Sequence, residues 1–245
     1  RSSQRLNPRN PSRQVPMHLP FSFQAMDITQ YKTIVFDCDG VILDSNPLKI
    51  QAYHDTAIHL GYSESQAQAL VKYHIKLGGI SRYHKFEYFL REIVGAPVDE
   101  DKLQALIAQF SYEVKQALIH CEMAKGLQAM RDATPQAGWM LVSGGDQSEK
   151  REVFAARGIA DLFDAGIFGS PDYKDDILAR ETAEGALKKP GLFVGDSRYD
   201  HEAAIKAGLD FVFLSAWTDF EGWQDYCASH NIRIVESLSD LIPSA

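Results

Sequence analysis

Apolar and polar positions divide this chain into stretches of different rhythm. Residues 1 to 26 show neither helical nor strand periodicity; they carry Arg1, Arg5, Arg9 and Arg13, no acidic residue, and prolines at 8, 11, 16 and 20, the composition of a tail. The run Ile34-Val35-Phe36 then leads straight into Asp37-Cys38-Asp39-Gly40, as in a strand buried on both faces that delivers polar groups at its carboxyl end. From there to about residue 120 only helical spacing occurs. Helices are expected over 47–60, opened by Pro47 and closed by Gly61, over 63–77 with Ser63 as N-cap, over 82–94, and over 99–120 with acids in the first turn.

After Met123 the rhythm alternates: helix to about 134, strand 138–143, helix 146–157, strand 166–169, helix 173–187, strand 191–195, helix 199–207, strand 210–214, helix 219–229 and strand 232–235. Such alternation predicts an α/β fold, a doubly wound parallel sheet with right-handed crossovers. The expected organisation is a flexible tail over 1–28, an α/β core over 29–47 and 121–245, and an inserted all-helical domain over 48–120. No internal repeat is present. The tail's Arg and Ser suit a transit segment, but its prolines oppose an amphipathic helix; sequence upstream of Met17 or Met26 is the other reading.

Composition narrows the function. A net charge of −8 and a pI near 5.5 argue against a nucleic-acid surface, which needs clustered Lys and Arg. No apolar run approaches the ~20 residues that span a bilayer, so neither nucleic acid nor membrane is an expected partner. Three cysteines, Cys38, Cys121 and Cys227, are too few and odd in number for a disulfide framework and point to a reducing, cytoplasmic compartment.

The chemistry lies at strand ends. Residues two apart on a strand share a side, so Asp37 and Asp39 are expected to converge while Cys38 faces away. Two carboxylates so close call for a bound cation or a retained proton. An isolated Asp-x-Asp-Gly is usually an ordinary turn. Here, however, Leu192-Phe193-Val194-Gly195 delivers Asp196 in the same way, and Trp139-Met140-Leu141-Val142 delivers Ser143. Three strands ending so describe one site.

The set Asp37-Cys38-Asp39-Gly40-Val41, Ser143, Lys174 and Gly195-Asp196-Ser197-Arg198-Tyr199-Asp200 resembles, in order, the four motifs of the haloacid dehalogenase superfamily, in its phosphatase branch near the phosphoglycolate phosphatases and β-phosphoglucomutases. The resemblance spans roughly residues 31 to 243. It implies a Rossmann-like core with a helical cap, and a magnesium-dependent phosphatase acting on a small phosphorylated metabolite, a sugar phosphate, a sugar-acid phosphate or a phosphoglycolate-like ester, through an aspartyl-phosphate. In that scheme Asp37 is the nucleophile, and Asp39 gives a proton to the leaving oxygen and then takes one from water. Ser143 and the Gly144 amide bind phosphate oxygens ahead of a helix N-terminus, and Lys174 neutralises the phosphoryl group and pairs with Asp37. Mg2+ takes the Asp37 and Asp196 carboxylates and the Asp39 carbonyl, while Asp200 orients metal-bound water. Lys174 precedes Asp175-Asp176, where many relatives have Lys-Pro. Ser197 reads as a helix cap, Lys188 and Lys189 as surface.

The run Lys72-Tyr73-His74-Ile75-Lys76-Leu77-Gly78-Gly79-Ile80-Ser81-Arg82-Tyr83-His84-Lys85 is rich in cations and aromatics, and its glycines break the helix. It reads either as a solvated face or as a specificity loop, with Arg82 and Lys76 as the candidate substrate-binding residues; Gly-Ile-Ser-Arg is similar to the β-phosphoglucomutase cap, whose arginine contacts a substrate phosphate. His54 and His59 read as helix-surface or packing residues. A phosphomutase is the near rival. Those mutases carry a His twelve residues after the nucleophile and a Glu before the fourth-motif Asp, where this chain has Lys49 and Gly195. A non-catalytic binding protein on this fold is the rival from another class. A monomer or homodimer is expected.

Overall fold

The structure, a computed structural model, describes residues 26–242. The expected tail lies outside the described residues up to position 25. Its last residues are folded, because Asp27 caps a 3₁₀ turn, Ile28–Gln30, whose Ile28 is buried.

Six parallel strands form one sheet: β1 Thr33–Phe36, β2 Gly138–Asp146, β3 Ile167–Ser170, β4 Gly191–Gly195, β5 Asp210–Leu214 and β6 Arg233–Val235. Their order is β3-β2-β1-β4-β5-β6. The chain winds outward from β1 through β2 and β3, then returns to lay β4 on the other side of β1. The switch point therefore falls between β1 and β4, and a crevice opens beyond their carboxyl ends. Asp37 follows β1 and Asp196 follows β4, so the two flank that crevice.

The sheet is buried on both faces because its strands are continuous apolar runs. Ile34 and Phe36 pack with Trp139, Leu141, Leu192 and Val194 on one face, whereas Val35 joins Met140, Phe193, Ile177 and Leu178 on the other. Phe36 sits 4.7 Å from the Trp139 ring and 5.8 Å from Phe163, so Phe36→Ala would cost about 3–5 kcal/mol.

The insertion that follows β1 carries four α-helices, α1 Asn46–His59, α2 Glu64–Lys76, α3 Arg82–Tyr88 and α4 Glu100–His120. Tyr53, Phe86 and Phe110 stack at their centre, with ring centroids 4.3 to 5.7 Å apart. The Ser63–Gln66 capping box starts α2, and the Asp99 side chain caps α4. The helix expected over 82–94 does not run through unbroken: from Phe89 to Val94 it widens into a π-helix that ends at Gly95.

The remaining helices are α5 Leu127–Ala133, α6 Gln147–Ala156, α7 Lys174–Ala183, α8 Arg198–Ala207 and α9 Trp223–Ser229. α7 stops four residues before the expected 187, and α9 begins four after the expected 219. No helix among the described residues is long and apolar enough to cross a membrane.

Candidate active site

β1 ends at Phe36, one residue before Asp37, although the Asp37 N–H still donates to the Val194 carbonyl at 3.0 Å. The chain then turns: the amides of Ile42 and Leu43 both donate to the Cys38 carbonyl, at 2.8 and 2.9 Å. Asp37 and Asp39 thus reach the same cavity through a turn after the strand, not by the strand alternation expected. Gly40 makes the turn possible, with φ 81° and a position where an added Cβ would lie 2.1 Å from the Asp196 carboxylate.

The cavity, of about 40 Å³, has Asp37, Asp39, Asp196 and Gly144 on the sheet side. Its opposite wall, from the helical insertion, presents Lys49, Tyr53, His74, Arg82 and Lys85. Two ionic clusters meet below it.

The first cluster has two carboxylates on one lysine. Lys174, the first residue of α7, reaches Asp37 at 3.0 Å and Asp200 at 2.5 Å, and all three are buried. One carboxylate oxygen each from Asp37, Asp196 and Asp200 lie within 4.8 Å of one another. Asp200 is locked in place: one oxygen takes Lys174, and the other accepts from the amides of Asp196 and Ser197 and from the Ser197 hydroxyl. Ser197 and Asp200 form a capping box, so this Asp is a helix N-terminal residue and a cluster member at once. Negative charge is in excess. Burial, with Asp200 and Asp39 against Lys174, pushes Asp37 up to about 7. Burial together with Asp200, Asp37 and Asp219 holds Asp196 well above the usual carboxylate range.

The second cluster has two lysines on one carboxylate. Asp39 takes Lys49 on one oxygen, and Lys150 at 3.0 Å and the Ser45 hydroxyl at 2.6 Å on the other. Burial alone would raise Asp39, but Lys150 and Lys49 outweigh it and hold the carboxyl well below its ordinary range. Lys49 in turn is lowered by burial, with Lys150 and Arg82 opposing its charge.

Ser143 is fully buried, and its hydroxyl accepts from the Gly145 amide at 3.0 Å; the backbone of Gly144 and Gly145 lines the cavity above it. β2 continues to Asp146, so these glycines end a strand before α6 begins at Gln147.

Two expectations for the insertion need correction. Lys76 ends α2 exposed to solvent and does not line the cavity. It borders an outer groove with Ile75 and Phe220. Arg82 is not a loop cation, because Ser81 caps α3 at Tyr83 and makes Arg82 its first residue. Its guanidinium is 2% exposed, forks onto Glu149 at 2.6 and 2.9 Å, donates to Ser111 at 2.7 Å, and lies 4.7 Å from the Phe110 ring.

Lys150 and Glu149 are not singled out by the sequence, Lys49 enters there only at the position of the mutase His, and His74 and Lys85 only as members of the cation-rich run. The available signal was a charged residue on an apolar helical stripe: Lys49 lies among buried Ala52, Tyr53 and Thr56, and Lys150 beside Val153 and Phe154.

A family model of haloacid dehalogenase-like hydrolases matches residues 31–208. No curated protein matches the chain. Among solved structures, one described as a predicted phosphoglycolate phosphatase from Haemophilus somnus superposes with a TM-score of 0.60 at 21% identity, covering 77% of this chain and 87% of its own. A predicted phosphatase from Clostridium acetobutylicum gives 0.66 at 16% identity, over 86% and 96%. A protein from Bacteroides vulgatus provisionally named a β-phosphoglucomutase gives 0.62 at 16%, over 86% of each. At these identities the likeness is one of fold. Together with the family match over most of its length, the strand order and the carboxylates at the switch point, it follows that the chain belongs to the haloacid dehalogenase-like hydrolases.

Proposed function

We propose that this protein is a magnesium-dependent phosphatase of small phosphorylated metabolites, working through an aspartyl-phosphate on Asp37. One observation carries the reading: two residues apart in sequence, Asp37 belongs to a cluster short of positive charge and Asp39 to one with positive charge to spare. A cation and a phosphoryl group are the pair of ligands that satisfies both.

The donor set fits magnesium. It is all oxygen, it converges, and its carboxylates are under-compensated, as the raised Asp37 and Asp196 express. Asp37 and Asp196 would hold the ion, with the Asp39 carbonyl as the third protein ligand and Asp200 fixing the pair from behind. Bound there, it would neutralise phosphoryl oxygens as charge develops.

In the first step an Asp37 oxygen attacks phosphorus and the bond to the leaving oxygen breaks. Lys174 keeps Asp37 oriented, and the Gly144 amide, in the cavity lining, receives a phosphoryl oxygen, while the Gly145 amide holds the Ser143 hydroxyl. In the second step water attacks the same phosphorus, the bond to Asp37 breaks, and the water's proton goes to Asp39. Asp39 is ionised between its two lysines, which is the state that accepts a proton. The proton that the leaving oxygen takes is therefore held at the Asp39–Lys49 contact.

The mutase reading draws no support from the site. Lys49 already occupies Asp39, and at Gly195 an added Cβ would lie 2.5 Å from the Asp200 Cβ, leaving no room for a glutamate. The test is phosphate release from a panel of sugar phosphates, phosphorylated acids and nucleotides, with magnesium and with chelator. Release that needs the metal is expected. No release from any ester, or full release after exhaustive chelation, would overturn the reading.

A further inference from the structure

The buried cations around the cavity each meet a carboxylate, with one exception. Lys49 and Lys150 meet Asp39, Lys174 meets Asp37 and Asp200, and Arg82 meets Glu149. Lys85, 1% exposed, has no carboxylate within 4 Å among the described residues. Its amino group meets the Nδ1 of His74 at 2.7 Å and stands 5.6 Å from the Tyr53 ring. A buried ammonium without an anion is costly, and a methionine would fill the same space without that cost.

His74 carries a second unmet need. It is buried, and its Nε2 has no hydrogen-bond partner among the described residues. Because Nδ1 accepts from the Lys85 ammonium, the ring proton lies on Nε2, a free donor on a residue that lines the cavity with Lys85. A buried lysine without an ion pair and a buried ring nitrogen without a partner thus belong to neighbouring residues in the insertion wall of the cavity that holds Asp37. Asp219 lines it too, from the loop after β5, but beyond ion-pair distance of Lys85.

We infer that the substrate carries a second anionic group, a carboxylate or another phosphate, and that Lys85, held by the His74 Nδ1, receives it at the insertion wall of the cavity, across from the sheet side that carries Asp37. The inference rests on the phosphatase reading and names the substrate class for it: a short phosphorylated acid or a bisphosphate. The narrow cavity, with room for roughly three or four waters, favours a short spacer between the two groups. Without a bound anion, burial and Lys49 lower Lys85 to about 7, so an arriving anion also restores its charge.

Calorimetric titration of the magnesium-loaded protein with three non-hydrolysable probes tests this: propylphosphonate, 3-phosphonopropionate and propane-1,3-bisphosphonate. Wild type should bind at least one of the two-headed probes about tenfold more tightly than propylphosphonate, the scale of one charge-assisted contact. Which of them wins tells a carboxylate from a second phosphate. In Lys85→Met that ratio should fall to within about twofold, with a melting temperature no lower than wild type. A ratio near one in wild type, no binding of any probe, or a preference that survives in Lys85→Met would overturn the inference. Phosphate release from simple esters is read separately. A two-headed preference without any release keeps the anion site and sinks the phosphatase reading, whereas release without preference does the reverse.

Discussion

Asp37 and Asp39 lie on one turn, yet they inhabit opposite electrostatic worlds. The Asp37 cluster sets one lysine against three buried carboxylates; the Asp39 cluster sets one carboxylate against two lysines. Burial pushes both aspartates toward the neutral acid; it prevails at Asp37, where Asp200 and Asp39 oppose the one lysine, and is overcome at Asp39 by two lysines. The imbalance teaches what each half lacks: a cation beside Asp37, an anion beside Asp39. Breaking each cluster separately is the way to test that.

The largest effect is expected from Asp37→Asn, which keeps the side-chain volume and removes the carboxylate proposed to attack phosphorus. Turnover should drop by roughly three orders of magnitude or more, about 4 kcal/mol of barrier, with little loss of stability because a carboxylate leaves an overcrowded group. Steady-state kinetics and a thermal melt check both halves. A variant retaining a tenth of the native rate would end the covalent mechanism.

Lys174→Met comes next. It strips from Asp37 and Asp200 the one lysine that meets them among the described residues and should cost about 3–5 kcal/mol, with magnesium restoring more stability than it adds to wild type. Lys150→Met is its counterpart. It leaves Asp39 matched one to one with Lys49, so its cost should be smaller by roughly 2 kcal/mol. Denaturant unfolding of both, with and without magnesium, would reveal equal costs if the two clusters were alike.

Arg82→Ala tests how the insertion is tied to the sheet domain. Arg82 and Glu149, 67 residues apart, form a buried fork between α3 and α6. Truncating the arginine leaves Glu149 buried and unpaired, at about 3 kcal/mol, contrary to the small effect expected of a loop cation. The pair Arg82→Met with Glu149→Met should recover most of that loss. A single-variant cost below roughly 1 kcal/mol would mean that water already reaches the pair.

How much of this was open to a reader of the sequence depends on distance along the chain. β4 and β5 have the expected bounds, because a continuous apolar run states its own limits. α9 starts late because Gly222, at φ 79°, holds the segment before it out of the helix. Asp37, Asp39, Asp196, Asp200 and Lys174 are each recognisable beside a strand end or helix start. Their partners are not, since Lys150 meets Asp39 across 111 positions and no local pattern says which carboxylate a cation will face. A sequence shows that Lys85 interrupts an apolar stripe with Phe86 and Phe89, but not that no carboxylate among the described residues comes within ion-pair distance of it.

The pH response sharpens the contrast between the aspartates at smaller cost. Asp37 is raised from 3.8 to about 7, so between those values the folded state keeps a proton that the unfolded chain has released, and stability falls as pH rises. Asp196 acts in the same direction. Asp39, lowered, contributes stability that is complete above the ordinary carboxylate range and is lost only in acid below it. His74, lowered by burial and Lys85, opposes the first two below 6.5, but equally with and without metal. The magnesium-induced rise in melting temperature isolates the carboxylates: it should be slight at pH 5 and several degrees by pH 7.5, because the ion must displace the retained protons. A rise independent of pH would place the ion elsewhere.

The smallest effect belongs to Lys76→Ala, and it separates the wall of the cavity from its rim. Lys76 comes from the same cation-rich run as His74 and Lys85, only two residues beyond the former, yet the α2 helix turns it outward to solvent while His74 faces inward. An exposed charge with no partner at short range contributes little to stability and is screened by salt. The substitution should therefore move unfolding by less than about 0.5 kcal/mol and kcat/KM by less than roughly twofold at physiological ionic strength. At low salt a slightly larger drop is expected, confined to kcat/KM, since a rim cation can still draw a phosphorylated substrate inward. Measuring kcat/KM across a salt series decides it: a large, salt-independent loss would bring Lys76 into the cavity and redraw the wall around it.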